Sequence, residues 1–221
     1  MRNLLRTVGE KIDPAHTALL VVDVQNDMCH SDGAFAQMGI DIAHLVAVVP
    51  KIAKLAATAR GAGVLTIYTV VSDHEEAAIS DAYFEINLTF YERANSGQSP
   101  APEPVEATDT DWGIQLFEPL SPADDDFILI KHRFGAFTNT KLDQILRSSN
   151  IKTVVLSGVL TDVCVESTAR SAIDQDYYVI IVDDCVATLT DERQRSSLAI
   201  MENIIGTITN LEEISRIWKK R

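Results

Sequence analysis

The sequence predicts an α/β fold built on a parallel β-sheet, and two observations lead to this prediction. Short, almost continuously apolar runs alternate along the chain with longer amphipathic stretches. This alternation is typical of βαβ units, in which helices cover both faces of a buried parallel sheet. The chain has 221 residues, a length that suits one substantial core, so we expect a single domain over residues 1–221.

Each predicted strand is an apolar run, and each predicted helix is an amphipathic stretch between such runs. The predicted strands are Ala18–Val24, Val64–Val71, Phe127–Lys131, Thr153–Val159 and Tyr178–Asp183, with a weaker one at Gly206–Thr209. The predicted helices are Ile42–Ala62, Lys141–Ser149, Asp162–Gln175, Asp191–Asn203 and Leu211–Lys219. Right-handed crossovers between parallel strands would gather the carboxyl ends of the strands at one edge of the sheet.

A stretch rich in Pro, Ser, Glu and Asp, Glu92–Asp111, is predicted to be a long loop that crosses this edge. A linker between two domains is the alternative. Too little of the sheet precedes the stretch to complete a domain, so we favour the loop.

The charge balance argues against two classes of partner. The chain carries 19 Lys and Arg residues against 32 Asp and Glu residues, which gives a net charge of −13. A field of this sign repels phosphate backbones and anionic lipids, so we expect no nucleic-acid partner and no membrane partner. A small-molecule substrate is the partner that we expect.

The cysteines and the apolar runs indicate a cytoplasmic location. Cys29, Cys164 and Cys185 are scattered, and their spacing matches neither a disulfide framework nor a zinc cluster. The amino-terminal stretch lacks the apolar core of a signal peptide, and no apolar run is long enough to span a bilayer.

The most informative segment is Gly158–Ala172, which follows the apolar run Thr153–Ser157 and begins a predicted helix. Cys164 would lie in the first turn of this helix, at the carboxyl end of a strand. Unpaired backbone N–H groups and the helix dipole favour an anion there, so the position predicts a thiol that ionises easily. Such a thiol is a candidate nucleophile.

Two further residues close predicted strands and complete a chemically sensible set with Cys164. Asp23 ends the first strand and Lys131 ends the third. In this set the cysteine attacks a carbonyl carbon, and the carboxylate moves the proton from the thiol to the leaving nitrogen. The lysine then holds both anions in place.

The sequence resembles the isochorismatase-like cysteine hydrolases in blocks that follow the family order. The matching blocks are Ala18–Met28, Thr110–Pro122, Lys131–Ile151 and Val154–Thr188. The resemblance implies a three-layer α/β/α fold with a six-stranded parallel sheet, and a catalytic triad of Asp23, Lys131 and Cys164. It also implies a cis peptide at Val159–Leu160 and an oxyanion hole formed by the backbone N–H groups of Leu160 and Cys164.

The implied reaction is hydrolysis of a C–N bond through a thioester, with release of ammonia or an amine. True isochorismatases lack the nucleophilic cysteine, so Cys164 favours C–N hydrolysis. The run Phe134–Thr140 is most similar to ureidoacrylate-type and related carbamoyl hydrolases. Ureides, biuret-like compounds and other carbamoyl compounds are therefore the expected substrates, ahead of simple amides.

Nicotinamidases resemble the chain in the same blocks, but they add a metal site after the second strand. The corresponding region here offers Asp73 and His74 without a second histidine close by. We therefore expect no metal and no other cofactor.

Five residues are predicted to line the substrate pocket, although plain core packing or turn hydrogen bonds would explain each of them as well. They are Gln25, Met28, Phe35, Trp112 and Phe137. A nicotinamidase-like amide hydrolase and a catalytically idle interaction module of the same fold remain the alternatives. By analogy with relatives, which commonly form dimers or tetramers, we expect a homo-oligomer.

Overall fold

The computed structural model describes residues 4–72, 80–83, 85, 86, 89 and 110–219. Its centre is a sheet of parallel strands whose order across the sheet is β3-β2-β1-β4-β5-β6. The strands are β1 Thr17–Val22, β2 Leu65–Val71, β3 Phe127–Lys131, β4 Thr153–Val159, β5 Tyr178–Ala187 and β6 Thr207–Thr209. The predicted six-stranded parallel sheet is confirmed.

Helices pack on both faces of this sheet and complete the three-layer α/β/α fold. The helices are α1 Val8–Lys11, α2 Asn26–Cys29, α3 Ala34–Gln37, α4 Ala43–Gly61, α5 Thr110–Ile114, α6 Leu142–Ser148, α7 Glu166–Asp174, α8 Asp191–Ile204 and α9 Leu211–Trp218. Side chains of α4 and α9 bury one face of the sheet, and side chains of α6, α7 and α8 bury the other. No helix of the described residues is long and apolar enough to cross a membrane.

The predicted bounds of β3 and β4 are confirmed, whereas two other strands end elsewhere. β1 ends at Val22 because Asp23 has a φ of +52°, which takes the backbone out of the extended conformation. β5 continues past Asp183 to Ala187, so Asp183 and Asp184 lie inside the strand and not at its end. There Asp184 accepts a hydrogen bond of 2.9 Å from the N–H of Leu211, the first residue of α9, while Asn210 is the N-cap of this helix.

The predicted loop at Glu92–Asp111 lies outside the described residues up to position 109. Its last two residues, Thr110 and Asp111, are the first two residues of α5.

The strand order reverses between β1 and β4, which are neighbours at the centre of the sheet. From β1 the chain adds strands to one side, and from β4 it adds them to the other side. In open α/β sheets the crevice at the carboxyl ends of such a pair is where ligands bind. Asp23 follows β1 directly, and the segment with Cys164 follows β4.

Gly158 allows β1 and β4 to approach closely just below this crevice. Its φ is +110°, and a Cβ atom at this position would lie 2.1 Å from the backbone oxygen of Val22. Only glycine combines this backbone conformation with this contact.

We expect Gly158→Ala to lower the free energy of unfolding by about 3 kcal/mol or more, because it adds backbone strain to a collision with β1. Chemical denaturation measures the change. Gly61→Ala, at the end of α4 with open space around its Cα, is the matched control and should be neutral or stabilising by up to about 1 kcal/mol. Equal stability of Gly158→Ala and wild type would contradict the packing described for β1 and β4.

Candidate active site

Asp23 lies at the first residue beyond β1 and is completely buried. Its N–H group donates a hydrogen bond of 3.1 Å to the carbonyl oxygen of Thr69 in β2. Its side-chain Oδ1 accepts a hydrogen bond of 2.7 Å from the hydroxyl of the same threonine. Both the backbone and the carboxylate of Asp23 are therefore fixed by one residue of the neighbouring strand.

Lys131 ends β3 and reaches across β2 to this carboxylate. Its Nζ lies 2.6 Å from Oδ2 of Asp23, and both side chains are fully buried. Nζ also donates a hydrogen bond of 2.8 Å to the carbonyl oxygen of Arg133. Burial by itself lowers the pKa of Lys131, but the neighbouring Asp23 carboxylate favours the charged form, and the pKa lies above its ordinary value. The lysine is therefore a cation at neutral pH.

Cys164 interacts with both members of this ion pair. It lies in a π-helical turn, Thr161–Val165, which leads from β4 into α7. Burial raises the pKa of its thiol well above the ordinary value, Lys131 opposes this, and Asp23 adds to it. The prediction that the thiol ionises easily is therefore wrong, because burial outweighs the charge and the helix position.

Several hydrogen bonds fix the turn that carries Cys164. The hydroxyl of Thr168 donates to the carbonyl oxygen of Cys164 at 2.7 Å and accepts from the N–H of Ala136 at 3.0 Å. The hydroxyl of Thr161 donates to Oε1 of Gln194 in α8 at 2.7 Å. These hydrogen bonds tie the turn to the segment around Ala136 and to α8, so the turn that carries the sulfur has a defined position.

The peptide bond between Val159 and Leu160 is cis, as the family resemblance implies. The carbonyl oxygen of Leu160 accepts the N–H of Val165 at 3.1 Å, a bond between residues five apart that closes the π-helical turn. The oxyanion-hole roles of Leu160 and Cys164 stay predictions.

The side chain of Gln25, which is predicted to line the pocket, makes two hydrogen bonds to the backbone of Val71. Its side-chain oxygen accepts the N–H of Val71 at 2.8 Å, and its side-chain nitrogen donates to the carbonyl oxygen of Val71 at 3.0 Å. The amide therefore joins the segment after β1 to the end of β2. This structural function accounts for its burial, and contact of Gln25 with substrate stays a prediction.

The apolar residues that are predicted to line the pocket belong to two different core clusters, one on each face of the sheet. Met28 and Phe35 pack into the core on the α4 face of the sheet, whereas Cys164 and Phe137 belong to the core on the α7 face. The ring of Phe137 packs against Tyr177, with 5.8 Å between the ring centroids. Core packing thus explains the burial of Met28, Phe35 and Phe137, and their contact with substrate stays a prediction.

Trp112 is the predicted wall residue that is exposed, with 40% of its surface accessible. Its ring meets the ring of His30 edge to face at 5.0 Å between centroids. Its carbonyl oxygen accepts a hydrogen bond of 2.8 Å from the side chain of Asn26. The segment that begins α5 is therefore anchored on the chain that follows Asp23.

The residues that the structure describes contain no group of three His, Cys, Asp or Glu side chains placed to hold a metal ion. Asp73 and His74, the residues considered for a metal site, lie outside the described residues.

Comparison with known proteins identifies the family and the fold. Residues 17–213 match the family model described as the isochorismatase domain. The ureidoacrylate amidohydrolase of Methylobacterium radiotolerans is 30% identical over 208 residues, which cover 90% of this chain and 78% of that protein.

Two solved structures share the fold along nearly their whole length. A cysteine hydrolase from Pseudomonas syringae pv. phaseolicola has a TM-score of 0.78 and 26% identity, over 99% of this chain and 98% of its own. The N-carbamoylsarcosine amidase of Thermoplasma acidophilum has a TM-score of 0.67 and 27% identity, over 89% of this chain and 97% of its own.

We expect the Cys164 thiol to remain protonated from pH 6 to pH 9, because burial raises its pKa. Absorbance at 240 nm, which reports thiolate, is measured across this range for wild type and for Cys164→Ser. The difference between the two proteins should stay flat. A rise in the difference below pH 8 would show an ionised Cys164 and would contradict this account.

Proposed function

The chain belongs to the isochorismatase family and is a C–N hydrolase, and we propose that it hydrolyses a small ureide or carbamoyl compound through a thioester on Cys164. The observation that carries the proposal is the buried Asp23–Lys131 ion pair, with which the buried Cys164 thiol interacts electrostatically. Isolated ions are costly to bury, so a pair held against a neutral thiol is typical of a reactive centre.

The raised pKa of the thiol defines how attack begins. Cys164 starts as a thiol, and Asp23 removes its proton as the sulfur bonds to the carbonyl carbon of the substrate. The electron pair of the C=O double bond moves to the oxygen, where the backbone N–H groups of Leu160 and Cys164 would stabilise it. Lys131 stays charged throughout and balances the negative charge that develops in the buried site.

The tetrahedral intermediate then collapses. Asp23 returns the proton to the nitrogen, the C–N bond breaks, and ammonia leaves an acyl thioester on Cys164. A water molecule next loses a proton to Asp23 and attacks the thioester carbon. The C–S bond breaks, and the thiol regains its proton from Asp23.

The substrate class rests on the relatives and on the sequence block after Lys131. The M. radiotolerans relative is named for a ureido compound, and the T. acidophilum neighbour for a carbamoyl compound. Both compounds carry a planar carbonyl group bonded to nitrogen on each side, which matches the proposed attack and the proposed release of ammonia.

A catalytically idle module of the same fold is the alternative that the site geometry opposes. An idle protein has no need for a buried ion pair, whose desolvation penalty can exceed the attraction between its charges. Here Asp23 and Lys131 form a buried ion pair, and both interact electrostatically with Cys164.

We expect Cys164→Ala to lower ammonia release by roughly 10³-fold or more, because the nucleophile is lost while the fold is kept. Purified protein is assayed with ureidoacrylate, biuret, N-carbamoylsarcosine, maleamate and nicotinamide. Cys185→Ala, which removes another buried cysteine, is the control and should keep its activity.

Release from a ureido or carbamoyl compound by wild type and Cys185→Ala, with none from Cys164→Ala, would support both the chemistry and the substrate class. Full activity of Cys164→Ala would refute the thioester mechanism. Release from nicotinamide alone would refute the substrate class and favour a nicotinamidase.

A further inference from the structure

We infer that Thr69 is a positioning residue for the proposed reaction: its hydroxyl fixes the Asp23 carboxylate so that Oδ2 receives the Cys164 proton. The inference rests on the function proposed above. It assigns a role to a residue that is hydrogen-bonded to Asp23 and acts through it.

The position of Thr69 in the sheet supports this role. It is completely buried in β2, where it pairs with Val22 of β1 on one side and with Leu129 of β3 on the other. These strands lead directly to Asp23 and Lys131. Thr69 therefore lies on the strand between those that carry the two charged residues, and it pairs with the residues that precede Asp23 and Lys131 by one and two positions.

Two hydrogen bonds join Thr69 to Asp23, and together they leave the aspartate little freedom. The carbonyl oxygen of Thr69 accepts the Asp23 N–H at 3.1 Å, and the hydroxyl donates to Oδ1 at 2.7 Å. Asp23 has a positive φ, a conformation that aspartate adopts uncommonly and that needs support from its surroundings. One bond supports the backbone, and the other sets the plane of the carboxylate.

Oδ2 is the oxygen that this arrangement leaves for chemistry. It lies 2.6 Å from Nζ of Lys131, in the range of a charge-assisted hydrogen bond, whereas Oδ1 is held by Thr69. A carboxylate oxygen has two lone pairs, so Oδ2 keeps one for the proton of the thiol beside this contact. If Oδ1 lost its donor, the carboxylate would be free to rotate.

The hydroxyl donates to a charged acceptor, and such hydrogen bonds are shorter and stronger than those between neutral groups. Within the described residues, the titratable groups against Asp23 are Lys131 from β3 and Cys164 from the π-helical turn. Neither is altered by a substitution at Thr69. Loss of the hydroxyl should therefore weaken the hold on the carboxylate without changing either of these groups.

The test measures how fast iodoacetamide alkylates Cys164 between pH 4 and pH 9, by mass spectrometry of the peptide that contains it. In this reaction the sulfur bonds to the CH₂ carbon, iodide leaves, and the thiol proton passes to Asp23. The rate therefore reports the base without any substrate. The proteins compared are wild type, Thr69→Val, Thr69→Ser and Asp23→Asn.

Thr66→Val is the matched control. Thr66 lies in the same strand, is 2% exposed, and donates its hydroxyl to the carbonyl oxygen of Val64, away from the triad. Circular dichroism and thermal unfolding verify that each variant is folded, since loss of a buried hydrogen bond lowers stability at either threonine.

We expect Thr69→Val to slow alkylation about tenfold across the pH range, because the carboxylate that takes the thiol proton is no longer held. Thr69→Ser, which keeps the hydroxyl, should restore the wild-type profile, and Thr66→Val should leave it unchanged. A Thr69→Val profile that superimposes on wild type would overturn the role of Thr69. So would an equal slowing in Thr66→Val, because the effect would then be structural.

The same experiment separates this inference from the function on which it rests. If wild-type Cys164 resists alkylation, or if Asp23→Asn reacts as fast as wild type, the proposed mechanism fails. If both controls behave as expected and only Thr69→Val resembles wild type, the mechanism stands and the inference about Thr69 fails.

Discussion

The ion pair between Asp23 and Lys131 is the interaction on which the rest of the site depends. Two opposite charges lie 2.6 Å apart at full burial, so each is stable there only because the other is present. Removing one partner of such a pair costs about 3–5 kcal/mol. The strand order brings the two charges together, because β1 and β3 flank β2 and lead to Asp23 and Lys131 on opposite sides of Thr69. Cys164 follows β4 and is buried in the same site, and this burial raises the pKa of its thiol.

Much of the fold could be predicted because parallel sheets leave a simple pattern in the sequence. Phe127–Lys131 and Thr153–Val159 have the predicted bounds, and each strand begins directly after a charged residue, Asp126 or Lys152. β5 was harder to delimit, because Asp183 and Asp184 resemble the end of a strand in a one-dimensional pattern. In the fold, Asp184 receives the N–H of Leu211 and lies 3.3 Å from Nζ of Lys51, so both of its partners are distant in sequence.

The juxtaposition of Asp23, Lys131 and Cys164 could also be predicted, since all three lie at the carboxyl ends of parallel strands. The state of the thiol could not. Local position argued for easy ionisation, but burial raises the pKa of Cys164, and burial is a property of the folded chain. Thr69 left no signal at all, because a threonine inside a strand is ordinary. Likewise, the two hydrogen bonds that Gln25 makes to Val71 follow from strand neighbours that only the structure identifies.

Trapping the acyl-enzyme tests most directly whether the reaction passes through a thioester on Cys164. Wild-type protein is mixed with whichever ureido or carbamoyl compound it hydrolyses, quenched in acid over a millisecond time series, and digested for mass spectrometry. The account predicts an adduct on Cys164 whose mass equals that of the substrate less ammonia, appearing before steady turnover. Turnover that proceeds without an adduct on Cys164 at any time point, or with an adduct on another residue, would contradict it.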